Sequence, residues 1–286
     1  MKVLLTGASG SVGRFILARL TGDGHQVTIL GRRQVDGFPA AFQPFDLAGP
    51  HPGLPVADAL VHCALLHEPG RFRGGEGDDP ATFRAVNVDG SRRLFEAAKA
   101  AGCRRCVFLS SRAVYGDHRG GELLHETDIP RPDSLYGDVK LAGERALAEL
   151  CGNGFRGSVL RATGVYGRPP GLQDHKWSPL FGAFTRGETI APRRATEVHG
   201  ADLADAVSLL LETDRSEPFD VFNVSDLLLD RRELLELYAG SSGSSGKLPE
   251  NADDRPGIMA TDKLRALGWA PGGMDRLRSF LREPAA

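Results

Sequence analysis

The sequence has little from which to build a disulfide scaffold, a membrane span or a polyanion-binding surface. Its four cysteines, Cys63, Cys103, Cys106 and Cys151, are too few in 286 residues for a stapled fold. The "CRRC" at 103–106 has no second pair and no neighbouring histidine. Zinc is therefore not expected there, no metal site is expected elsewhere, and the two thiols should lie buried or half-buried between a helix end and a strand start. The opening stretch "MKVLLTGASG" stops its apolar run after three residues, far short of a signal-peptide core or a membrane span. Net charge is only −2 and the basic residues are spread along the chain, so neither nucleic acid nor a membrane is an expected partner. A cytoplasmic protein acting on small molecules is the expectation that remains.

What is present is alternation. The runs "KVLLT", "QVTIL", "ADALVHCA", "RCVFLSS", "GSVLRATGVYG" and "FDVFNV" read as strands, and "GRFILARL", "PATFRAVNVDGSRRLFEAAKAAG" and "LAGERALAELCG" between them carry apolar residues at helical spacing. That rhythm predicts an α/β fold, a doubly wound parallel (Rossmann) sheet, with a smaller C-terminal substrate lobe. Residues 1–167 plus about 199–225 form the expected dinucleotide-binding domain, and about 168–198 plus 226–286 the substrate-binding lobe. Prolines and glycines over 44–56 predict a short irregular link in place of a crossover helix. The polar, glycine-rich stretches 67–80 and 239–257 read as surface loops, the second flexible.

Two patterns carry chemistry. "TGASGSVG" follows the first strand and opens a helix, and its Gly7, Gly10 and Gly13 allow a tight turn, close approach to a pyrophosphate and helix–strand packing. Where an acid would hold an adenosine 2′-hydroxyl at the end of the second strand stands Gly31, followed by Arg32 and Arg33, whose guanidinium groups suit a 2′-phosphate. NADP(H) is thus the preferred cofactor and NAD(H) the alternative. In "SLYGDVK", Tyr136 and Lys140 stand one helical turn apart. The ammonium favours the ionised phenol, which makes a tyrosine of ordinary pKa about 10 usable as a general acid and base near neutral pH. Upstream, "RRCVFLSSRAVYG" ends a strand in serines, and Ser111 can hydrogen-bond a substrate oxygen beside that tyrosine.

With these motifs in place the chain resembles the extended short-chain dehydrogenase/reductase superfamily, the NAD(P)-dependent sugar epimerase/dehydratase family. The likeness includes "NVDGSRRLFEAA", "LRATGVYG", "HGADLADAV" and "DKLRALGW", and so spans nearly the whole chain. It implies that Tyr136 is the acid/base, that Lys140 lowers its pKa and holds the nicotinamide ribose, and that Ser111 orients the reacting oxygen. It implies further that Gly7, Ser9, Gly10, Ser11, Val12 and Gly13 cradle the pyrophosphate, that Asp46 and Leu47 flank the adenine, that Cys63, Ala64 and Leu65 line the nicotinamide side, and that Asn87 braces the site. His62 and Trp269 match family positions and read as core packing. Homodimers built on the segments 81–100 and 136–150 would follow the family habit.

The departures narrow the function. Family dehydratases place an acidic pair after the catalytic hydroxyl residue, where this chain has Arg112 and Ala113, so dehydration is disfavoured. Nucleotide-sugar epimerases carry an asparagine and an arginine where this chain has Gly164 and Ala195, which alters the usual pyrophosphate grip; Arg193 and Arg194 could compensate. Arg112 either binds a substrate carboxylate or phosphate or points to solvent. His175, Lys176 and Trp177 are substrate-facing candidates beside Arg193. The expected activity is hydride transfer at a hydroxyl or carbonyl carbon of a sugar, uronate or nucleotide sugar. The alternatives are a nucleotide-sugar 4-epimerase with tightly held cofactor and a non-catalytic NADP(H)-sensing regulatory protein.

Overall fold

Val3, Leu4 and Leu5 in β1 (Lys2–Thr6) are covered on both faces of the strand, as the centre of a parallel sheet requires. The computed structural model describes residues 1–50, 53–68 and 75–283, so part of the polar loop expected over 67–80 lies outside the described residues. The elements continue as α1 (Ser11–Gly22), β2 (Gln26–Gly31), β3 (Ala41–Pro44), β4 (Ala59–His62), α2 (Pro80–Ala100), β5 (Arg105–Ser111), a 3-10 turn (Arg112–Tyr115), β6 (Leu123–Leu124) and α3 (Leu135–Leu150). Beyond them come β7 (Arg156–Ala162), β8 (Gly164–Tyr166), α4 (Ser178–Thr185), β9 (Arg194–His199), α5 (Gly200–Glu212), β10 (Phe219–Val224), β11 (Leu227–Asp230), α6 (Arg231–Ser242), β12 (Ile258–Met259), α7 (Asp262–Arg265) and α8 (Gly273–Leu281).

Seven strands run parallel in the order β3-β2-β1-β4-β5-β7-β10, the doubly wound sheet that the alternation predicts. Helices α1 and α5 close one face over Ile16, Leu20, Leu203 and Leu210, and α2 and α3 close the other over Leu94, Phe95 and Leu147. The strand order reverses between β1 and β4, and a crevice opens beyond their carboxyl ends. No helix among the described residues is long and apolar enough to cross a membrane. Cys103 and Cys106 lie buried between α2 and the sheet, with burial pushing both thiols up in pKa.

Three local readings change. The sequence gives no sign of β3, a short edge strand ending in Pro44, where the missing N–H breaks no ladder. After it the chain reaches β4 without a helix among the described residues. The single strand expected over 157–167 divides. β7 leaves the central sheet at Thr163, and β8 pairs with β9 in a second sheet, β8-β9-β11. The stretch 239–257 is more than a loose connection. Helix α6 occupies its start and stops at Gly243, in the left-handed conformation at φ 71°. Further on, Ala252 is buried and donates its N–H to Asp230 Oδ2 at 3.0 Å. A separate apolar cluster gathers Tyr166, Trp177, Phe184, Leu235 and Phe280.

The orientation of α3 rests on one buried pair. Ser134 caps the helix by accepting the Gly137 N–H at 3.2 Å. Glu144 then points into the sheet, where its carboxylate meets the Arg161 guanidinium of β7 at 2.7 Å, with both side chains about 95% buried. The hydroxyl of Ser110 on β5 also donates to Glu144, and Arg161 Nη1 donates to the Tyr115 hydroxyl at 2.9 Å. Arg161→Leu would leave a buried carboxylate without its cation. The expected loss is about 3–5 kcal/mol, read by urea unfolding, with much of it regained in the double variant Arg161→Leu/Glu144→Leu.

Candidate active site

The glycine loop is built by contacts that leave no room for side chains. Gly7 sits at φ 75°, and a Cβ there would lie 2.7 Å from the Cys63 carbonyl carbon; one on Gly13 would lie 2.1 Å from Gly7 O. Loop and helix therefore close tightly, and α1 begins with backbone N–H groups free of side-chain caps, a ready anion site.

Behind the loop, Thr6 Oγ1 accepts the N–H groups of Cys63 and Ala64, each at 3.2 Å. With both lone pairs used, its proton goes to His62 Nδ1 at 2.7 Å, which makes Nε2 the His62 donor to Ser91 Oγ at 2.9 Å. Asn87 accepts the Leu66 N–H at 2.7 Å and donates to Leu66 O at 2.9 Å. His62 and Asn87 thus stand outside the cavity wall and hold the chain segments that form it.

A cavity of about 1320 Å³ runs from this loop across the strand ends toward the second sheet. The loop residues expected at the pyrophosphate line it, as do Arg32, Asp46, Leu47 and the segment 63–65; Arg33 is exposed and lies outside the wall. Ser111, Tyr136 and Lys140 line the same space. Period-2 alternation along β5 separates the serines, Ser110 turning to Glu144 and Ser111 capping the next turn by accepting the Ala113 N–H at 3.2 Å. A Cβ on Gly137 would lie 2.4 Å from Ala113 O, so α3 docks directly on that turn and carries Tyr136 with it.

Lys140 is 3% exposed and donates to Leu109 O at 2.8 Å, with Nζ 5.1 Å from the Phe108 ring centre and 6.0 Å from that of Tyr136. Burial pulls its ammonium down to about 8, with Cys63 and Glu144 opposing the fall. It stays mostly charged at neutral pH. Burial also pushes the neighbouring Cys63 thiol up to about 12, which keeps it neutral.

At the far end, Arg112 bonds Asp117 Oδ1 at 2.7 Å and Gly257 O at 3.1 Å, so it is tethered along the wall and does not point to solvent. His175 and Arg193 line the cavity as expected, and burial lowers the His175 pKa. Trp177 does not: its ring stacks on Tyr166 at 4.8 Å and packs with Phe181 and Phe280, the apolar cluster claiming the large surface that sequence reading assigned to substrate. Thr163, Asp254 and Arg255 were missed. Thr163 falls where a strand seemed to continue, and the other two sit in a stretch whose composition signals only a linker.

The family model described as NAD dependent epimerase/dehydratase family matches residues 3–225. The chain is similar to a dTDP-6-deoxy-L-talose 4-dehydrogenase (NAD(P)(+)) of Kitasatospora kifunensis, 32% identical over 99% of this chain and 94% of that protein. It is similar to a dTDP-glucose 4,6-dehydratase of Streptomyces niveus, 28% identical over 95% of this chain and 88% of that one. Among solved structures, MoeE5 in complex with UDP-glucuronic acid and NAD superposes with a TM-score of 0.81 at 27% identity, covering 98% and 96% of the two chains.

The burial of Lys140 has a measurable consequence. In the free protein one lysine should titrate near pH 8 by ¹³C NMR, and that resonance should be missing from Lys140→Met. A Lys140 midpoint near the ordinary value of about 10.4 would contradict the buried geometry.

Proposed function

This chain belongs to the NAD dependent epimerase/dehydratase family, and on that premise we propose a hydride-transferring enzyme acting at a hydroxyl or carbonyl carbon of a sugar carried on a nucleotide, or of a related uronate. The observation that carries the reading is that Ser111, Tyr136 and Lys140 share one cavity with the glycine loop. The loop fits a dinucleotide, since its residues line the cavity and the backbone N–H groups that open α1 carry no side-chain cap, as a pyrophosphate site needs. When bound, that cofactor supplies the hydride acceptor or donor. In the oxidising direction Ser111 holds the substrate hydroxyl, and ionised Tyr136 takes its proton as the hydride leaves the same carbon. Lys140 stabilises the phenolate by its charge. In reduction Tyr136 returns the proton to the nascent alkoxide.

The finer assignments rest on single residues. Arg32 in the wall beside Gly31 supports a preference for NADP(H) through its 2′-phosphate. Ala113 is buried and Arg112 is paired with Asp117, so neither offers the carboxylate that dehydration needs. The apolar cluster around Phe184 and Leu235 supports a substrate lobe from about 168–198 and 226–286. A cytoplasmic homodimer paired through α2 and α3 rests on the family resemblance alone.

Tyr136→Phe should lower kcat by about 10²–10⁴-fold while NADPH affinity is kept, measured by 340 nm absorbance and fluorescence titration. Conversion of one sugar epimer to another with no net 340 nm change would assign epimerisation instead. Arg32→Ala should reduce kcat/KM with NADPH by about tenfold or more and leave NADH nearly unchanged. Equal losses with the two cofactors would refute the 2′-phosphate contact.

A further inference from the structure

Gly164 and Glu197 are register partners on β8 and β9, and the space above the glycine is filled by an ion pair. A Cβ on Gly164 would lie within 2.5 Å of Glu197 Oε2 and closer still to Lys176 Nζ. Lys176 reaches this point from the segment before α4 and pairs with Glu197 by a short contact. The two partners are unequal: the Lys176 side chain is 31% exposed and lines the cavity, whereas Glu197 is 6% exposed and sits behind it. The site lies near the chemistry, because Ala162, two residues before Gly164, is the register partner of Ser111.

We infer that Lys176, oriented by Glu197, binds an anionic oxygen group of the substrate, a phosphate or a carboxylate, and so selects charged sugars over neutral ones. The inference rests on the functional reading above and narrows its substrate class. The position where the family's asparagine would stand holds no side chain of its own, and a cation from another segment presents its N–H groups there. The charges around it favour an anion. Arg193 and Arg255 line the same end and make no ion pair among the described residues, while Arg194 is shared with Asp230 at 3.5 Å. Asp117, Asp174 and Asp254 are the wall's carboxylates at that end; Asp117 is already paired with Arg112, and Asp254 accepts the Arg194 N–H at 3.1 Å. Glu197 offsets the burial that lowers the Lys176 pKa, while Arg193 adds to the lowering. An incoming anion relieves the repulsion between the two cations.

The test uses the NADPH-saturated protein with two probes, UDP for the diphosphate and glucuronate for the carboxylate, titrated by calorimetry. Lys176→Met should weaken one of them about tenfold or more, the loss of one charged hydrogen bond, and the probe affected identifies the source of the anion. NADPH affinity should move by less than about twofold. In turnover the same variant should raise KM and change kcat little. Glu197→Gln should weaken that probe less than Lys176→Met does. Because Lys176→Met strands a buried carboxylate, the double variant Lys176→Met/Glu197→Gln repeats the titration without that strain. Unchanged affinity for both probes in a folded variant, or a wild-type protein that binds neither at millimolar concentration, overturns the inference. Undiminished turnover in Tyr136→Phe would remove the functional reading while leaving the Lys176 result standing.

Discussion

The contact between the Glu144 carboxylate and the Arg161 guanidinium decides which side of α3 faces the cavity. Tyr136, Lys140 and Glu144 lie four residues apart and therefore on one stripe of the helix. With Glu144 clamped to β7, the stripe cannot turn, and the phenol and ammonium above it are carried to the strand ends. The clamp is itself braced, because Arg161 also bonds Tyr115, whose hydroxyl donates to Asn223 Oδ1 at 2.8 Å on β10. Three strands and a helix are tied into one polar layer between apolar ones. Such a layer is expensive to desolvate, and its return is geometry.

The cavity holds two lysines in contrasting settings. Lys140 is almost fully buried and bonds a neutral carbonyl, with its Nζ 6.0 Å from the Tyr136 ring centre. Lys176 is more open and faces a buried carboxylate, so part of its charge is cancelled from behind while the side chain lines the cavity. One suits the tuning of a proton carrier and the other the holding of a ligand. The difference is made by what each packs against and could not be read from the residue type.

Backbone rhythm was the legible part of the fold. The parallel sheet, the glycine loop and the Tyr136–Lys140 spacing all depend on local pattern, and local pattern is what a sequence displays. The pairing of Glu144 with Arg161 joins residues 17 apart on different elements, and nothing in either neighbourhood announces it. Trp177 was misread for a related reason: a large aromatic in a polar loop looks available to a ligand until Tyr166, Phe181 and Phe280 are seen to enclose it. Arg255 and Asp254 were hidden by composition, since Gly, Ser and Pro around them signal a linker whether or not the linker folds back on the site. Edge strand β3, four residues ending in proline, carries too little periodicity to be seen.

The ion pair over Gly164 also occupies the volume that a side chain at that position would take. An asparagine introduced at 164 would collide with Lys176 and Glu197 while both remain, and losing Lys176 first would leave an isolated buried negative charge. Gly164 and the Lys176–Glu197 pair are therefore coupled through one shared volume, so that a change at any of the three alters the room and the charge left to the other two.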